Sequence, residues 1–141
     1  MAFSGNYSCN TLRSGLINGS FDFSSDTFYL ALYTNAATLD ETTTAYTTTG
    51  EATGGNYVAG GQIVTATVNS QTNSAGGSTT YVNFSSPAWT GSITARGALI
   101  YKPGDNGAVC VLDFGSDKIS TTSFIVQMPA NTSTSALIRL V

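Results

Sequence analysis

The segment 111–118 (VLDFGSDK) sets Asp113, Asp117 and Lys118 close together, a grouping that could serve acid–base chemistry or calcium. A calcium loop wants Asp or Asn at alternating positions and a closing Glu, which this segment lacks. The favoured reading is structural: Asp113 ends a strand, Gly115 and Ser116 make a turn, and Asp117 bonds nearby backbone. Asp22 and Asp26 flank Phe23, Ser24 and Ser25 in the same turn-like way. The chain has no histidine, so the commonest general base and metal ligand is missing. A Ser, Thr or Cys nucleophile would have to rely on Lys102, Lys118 or a carboxylate, and there is no GxSxG elbow or SxxK motif to supply one. The glycine pairs at 54–55, 60–61 and 76–77 do not lead through GK[ST] into a helix, so they read as turns and not as phosphate loops. Cys9 and Cys110 are far apart with no CxxC spacing, and they read as two buried free thiols. These residues point to binding or structure and away from catalysis, with no cofactor and no metal.

The aromatic residues offer a different chemistry. Trp89 with Tyr7, Tyr46 and Tyr57 could form a platform for stacking on sugars. Trp89 follows Ser85, Ser86, Pro87 and Ala88, where a large ring more often seals the end of a core or meets a partner protein. Arg96 lies mid-strand among apolar residues and is expected to reach an acidic neighbour such as Asp113 or to point into an interface.

The elements that must position these residues are mostly strands. Only 9% of residues are charged and the net charge is −3, against a usual charged share of about a quarter. The polar surface must therefore be built from Thr, Ser, Asn and Gly. Five scattered basic residues give no footprint for nucleic acid or anionic lipid. No stretch reaches the length of an apolar membrane span, so a soluble chain is expected. The start, MAFSGNYSCN, has neither a basic nor an apolar signal region, which points to production in a reducing cytoplasm.

Cys9, Leu12 and Leu16 are spaced for one short helix, weakened by Gly15, within a segment 1–20 that is either a helix or an N-terminal arm. Beyond it, period-2 patterns predict strands over 28–34, 62–68, 80–84, 93–101, 108–114, 123–128 and 136–140. Residues 28–34 are apolar on both faces, which suits a strand covered on one side by a loop or helix. Gly97 marks a bulge or a close backbone approach. Asn106-Gly107 is the preferred pair for a primed hairpin turn, so 93–101 and 108–114 should pair antiparallel. The fold class is all-β: a single domain over 1–141, an antiparallel β-sandwich of jelly-roll type. Residues 35–60, rich in Thr, Gly, Ala, Tyr and Asn, form a long ordered contact loop that carries only Asp40, Glu41 and Glu51 as charges.

Four segments, 28–40 (FYLALYTNAATLD), 43–61 (TTAYTTTGEATGGNYVAGG), 93–102 (ITARGALIYK) and 108–118 (AVCVLDFGSDK), resemble in order and spacing a group of small virion structural proteins of tailed bacteriophages. The resemblance spans nearly the whole chain from Phe28 onward. It implies a particle component on the capsid surface, assembled in the host bacterial cytoplasm, with capsid decoration or cement as its role. The implied partners are the major capsid protein and further copies of the chain, as a dimer or trimer. On this reading Tyr46, Thr47, Thr48 and Tyr57 contact the capsid or a sister subunit, and Trp89 anchors the loop ends. The alternative is a tail or fibre component that binds host-surface glycan. A free-standing carbohydrate-binding module trails both, because neither a secretion signal nor a catalytic domain accompanies the sequence.

Overall fold

The computed structural model describes residue 3 and residues 5–140. In chain order the elements are β1 (Tyr7–Ser8), α1 (Asn10–Asn18), β2 (Phe28–Tyr33), β3 (Gln62–Val64), β4 (Ala66–Thr72), β5 (Ser78–Phe84), β6 (Ala88–Thr90), β7 (Thr94–Tyr101), β8 (Ala108–Ile119), β9 (Ser123–Ile125) and β10 (Ile138–Leu140). Every strand pairing is antiparallel. One sheet runs β1-β8-β7-β2-β3, a second β10-β5-β4, and β6 pairs with β9. The fold is all-β with one short helix, as the alternating patterns predict.

Side-chain alternation along β2 builds two cores. Phe28, Leu30 and Leu32 face Val82, Phe84, Phe124 and Trp89 in the space between the sheets. The rings of Phe28 and Phe84 meet edge to face with centroids 5.7 Å apart. Ala31 and Tyr33 face the other way, with Leu99, Tyr101 and Val111, and pack beneath Ala37 and Leu39 of the long loop. The strand is therefore buried on both sides, and the loop supplies the second cover.

α1 starts after Cys9, whose carbonyl accepts the N–H groups of Leu12 and Arg13. It ends at Gly19 in the left-handed conformation (φ 81°). Gly15, a weak helix former, has a packing reason: a Cβ there would lie 2.3 Å from the Phe21 ring. Leu16 is 37% exposed, so the apolar row of the helix rests on Cys9 and Leu12. Of the segment expected as helix or arm, residues 1, 2 and 4 lie outside the described ones.

Several boundaries differ from the sequence expectation. The run 62–68 is two strands: β3 pairs with β2, the chain turns at Thr65, and β4 pairs with β5 in the other sheet. A strand that passes between sheets keeps its alternation, so the sequence pattern hides the corner. β7 and β8 pair as expected, but the connection is a loop closed by the Lys102 N–H on the Gly107 carbonyl at 2.7 Å. Asn106 is left-handed (φ 57°), whereas Gly107 is required by space, since a Cβ there would sit 1.8 Å from the Lys102 carbonyl. β8 continues past 114 to Ile119 through an irregularity opposite Arg96. Gly97 lies at that bulge, and a Cβ on it would meet the Leu112 carbonyl at 2.5 Å.

Candidate functional site

The loop 34–61 leaves β2 and returns to it, and the return is held by backbone. Thr34 N–H donates to the Gly50 carbonyl at 2.8 Å and Ala52 N–H to the Leu32 carbonyl at 2.9 Å. Tyr33 and Glu51 form an isolated antiparallel bridge. Further out, Asn10 N–H donates to the Glu41 carbonyl and Ala108 N–H to the Thr44 carbonyl, tying the loop to α1 and β8.

Glu51 is the centre of the arrangement. Its Oε1 accepts the Tyr46 hydroxyl at 2.6 Å. Its Oε2 accepts the Tyr57 hydroxyl and the Gly60 N–H, both at 2.7 Å. The Tyr57 oxygen in turn accepts the Leu32 N–H at 2.9 Å, which joins the latch to β2. Tyr101 donates to the Gly60 carbonyl at 2.7 Å, and Tyr33 donates to the Thr47 carbonyl at 2.7 Å. The Tyr46 ring stacks on Tyr101 at 4.9 Å, and Tyr29 continues the stack at 5.8 Å. A carboxylate that accepts three donors makes charge-assisted bonds stronger than neutral ones. Burial, then the hydrogen bond to Glu51, pushes the Tyr46 and Tyr57 phenols above their ordinary range. Burial pushes Tyr101 up to about 12. These hydroxyls stay protonated and act as donors.

The far end of the loop is held from within. Trp89 is 2% exposed and its ring lies 5.5 Å from that of Tyr57. Asn56 N–H donates to the Thr90 carbonyl at 2.9 Å, and Thr90 N–H donates to Asn56 Oδ1 at 2.8 Å. Gly55 allows that approach, because a Cβ there would lie 2.2 Å from the Thr90 carbonyl.

Of the residues expected to contact a partner, Trp89 is interior, Tyr46, Thr47 and Tyr57 are half-buried, and Thr48 is exposed. The hydroxyls of Tyr46 and Tyr57 are committed to Glu51. The outward surface is instead made by Thr42, Thr44, Thr48, Thr49 and Asn56, with Val58 69% exposed. The side chain of Asp40 is turned back on Thr42, whose hydroxyl and backbone N–H hold its carboxyl below the usual range. The result is a hydroxyl-rich layer on a fixed frame, with Asp40 and Glu41 as the charges beside it. Glu51 was not singled out from the sequence; the available signal was a lone acid between two tyrosines in an otherwise uncharged run.

The remaining candidates serve the fold. Arg96 Nε meets Asp113 Oδ1 at 3.1 Å, as expected from the paired strands. Asp113 Oδ1 also accepts the Gly115 N–H at 2.8 Å. Burial raises the Asp113 carboxyl, but the Gly115 N–H and Arg96 outweigh it and hold it low. Asp22 and Asp26 close their own turn, and Asp26 pairs with Lys102 at 2.9 Å. Cys9 and Cys110 are buried free thiols that belong to different cores. The buried Ser120 hydroxyl donates to the Gly91 carbonyl and accepts the Ile93 N–H, so it is committed to backbone. Among the described residues no group of three His, Cys, Asp or Glu is placed to hold a metal, and no helix is long and apolar enough to cross a membrane. No protein-family model matches the chain, and no curated protein or solved structure matches it significantly.

Proposed function

We propose that the chain is a virion structural protein of a tailed bacteriophage, a decoration or cement protein that binds the outer capsid lattice. The observation that carries the reading is the pre-organised loop layer. A loop already fixed by Glu51, Tyr33, Tyr57 and Tyr101 presents Thr48, Thr49 and Val58 without having to be ordered on docking. Each side chain held in advance removes about 0.5–1.5 kcal/mol from the cost of association. Occupying several equivalent sites on a repeating lattice multiplies a modest affinity. The low charge of the layer suits contact with a fixed protein surface. The four segments that resemble small phage virion proteins include this loop. The alternative, glycan binding by a tail or fibre component, calls for exposed rings, and Trp89 and Tyr57 are turned inward; this favours protein contact.

The test is reconstitution on particles that lack the protein. Purified chain should co-sediment with them and saturate. Thr48→Glu with Val58→Glu should abolish co-sedimentation while leaving the thermal midpoint unchanged. Binding that is unaffected by both changes would remove the loop layer from the interface.

A further inference from the structure

The edges of the two larger sheets are unequal. β1, β3 and β10 have two or three residues each, whereas β4 has seven. Natural sheets blunt long edges with charge, proline or bulges. β4 reads ATVNSQT, with no charge and no proline, and it pairs with β5 without a register shift. Thr67, Val68, Ser70, Gln71 and Thr72 are exposed.

The ladder shows which groups this edge presents. Asn73 N–H donates to the Gly77 carbonyl and Ser85 N–H donates to the Thr65 carbonyl. In an antiparallel pair the residues that exchange hydrogen bonds alternate with those that do not. Residues 65, 67, 69, 71 and 73 therefore bond to β5. Ala66, Val68, Ser70 and Thr72 turn their N–H and C=O groups outward, and among the described residues no backbone partner takes them.

We infer that β4 is a self-pairing edge, joined antiparallel to β4 of a second copy about a two-fold axis through Asn69. In that register Ala66 pairs with Thr72 of the second copy and Val68 with Ser70, so every outward N–H and C=O is satisfied. Shifting the axis to Val68 or Ser70 leaves an end residue unpaired. Asn69 faces its own copy in a non-hydrogen-bonded position, where side chains come closest. An uncharged strand sets no like charges against each other in this arrangement. The second copy is the favoured occupant because the edge is complementary to itself, and an isologous contact of this kind closes at the dimer.

The neighbouring surface agrees. Val68 (44% exposed), Leu140 (55%) and Leu16 (37%) line an apolar groove of ≈ 430 Å³ on the face that Val68 shares with Val82. The two-fold brings the grooves of both copies to the same side of one continuous sheet, with Val68 diagonal to its counterpart. The inference concerns self-association alone and holds whatever surface the loop layer binds.

The experiment is mass determination by light scattering and native mass spectrometry on the wild-type chain and edge variants. Wild type should be a dimer. Asn69→Lys and Asn69→Asp should each be monomeric, because like charges then face across the axis, and an equimolar mixture should recover a dimer containing one of each. Ser70→Pro removes an outward N–H and the exposed hydroxyl contact of Ser70 with Thr80 but no backbone bond of the ladder to β5, so it should give a monomer whose β5 amides keep their hydrogen-exchange protection. A monomeric wild type up to its solubility limit would overturn the inference. So would a dimer, trimer or larger ring that survives both Asn69→Lys and Ser70→Pro.

Discussion

Replacing Glu51 by Ala should loosen the long loop while leaving the sheets in place, because the three donors on its carboxylate all belong to the loop. A hydrogen bond to a charged group contributes about 1.5–3 kcal/mol, and a buried donor left without a partner costs about 1–3 kcal/mol. Tyr46 is half-exposed and can turn to water. The Tyr57 hydroxyl lies deeper, fixed by the Leu32 N–H, and loses its acceptor. Counting Tyr57 and Gly60 in full and Tyr46 in small part gives a loss of about 3–5 kcal/mol. For a chain of 141 residues, at roughly 3–4 °C per kcal/mol, the thermal midpoint should fall by about 10–20 °C. Glu51→Gln keeps the shape and one acceptor and should fall between wild type and Glu51→Ala. Calorimetry gives the midpoint, and hydrogen exchange at 52–60 locates the change. Tyr57→Phe should cost more than Tyr46→Phe, since it also removes the acceptor for Leu32 N–H. A drop of less than about 3 °C, roughly 1 kcal/mol, with unchanged exchange at Gly60, would refute the latch.

The other expectations rest on separate contacts. Gly61 has φ 82° and a Cβ would lie 1.8 Å from the Leu30 carbonyl, so Gly61→Ala should abolish folded protein in expression trials. Gly76→Ala, with φ 89° and open space around it, should cost only about 1–2 kcal/mol in urea unfolding. Burial pushes the Cys9 thiol up to about 11 and raises Cys110 too, so neither should react with a thiol reagent at pH 8 until the chain is unfolded. Tyr33, Tyr46, Tyr57 and Tyr101 are raised in the folded chain, mainly by burial. The unfolded chain releases those protons from about pH 10, so stability should be intact below that and fall as pH rises toward 12. Asp26, Asp40 and Asp113 are lowered, so their contribution should hold above about pH 4 and be lost as pH falls further. Thermal midpoints measured from pH 2 to 12 check both limbs. Arg96→Ala should cost about 1–2 kcal/mol in urea unfolding, between an exposed and a buried pair, because both side chains are largely covered.

The sequence was most legible where pattern and chemistry coincide. The two-faced apolar run of β2, the pairing of β7 with β8, the bulge at Gly97 and the Arg96–Asp113 pair follow from alternation, turn chemistry and cross-strand distance. The corner at Thr65 was hidden because alternation does not register which sheet a strand joins. β6 is too short to show a period, and β9 fills only Ser123–Ile125 of the strand expected over 123–128; the two pair with Trp89 opposite Phe124. The loop was recognised as ordered, but its wiring was not visible. A latch from Glu51 to Tyr46, Tyr57 and Gly60 has no periodicity, and tyrosines in a polar run look like surface until the carboxylate that draws them inward is placed. The proposed contact surface therefore moves from the Tyr rings to the exposed threonines and Val58 around them.

The proposal that the chain decorates a capsid is tested most directly by its copy number in purified particles, measured by quantitative mass spectrometry against the major capsid protein. The account predicts a ratio comparable to the capsid subunit. A handful of copies per particle, or none, would contradict it.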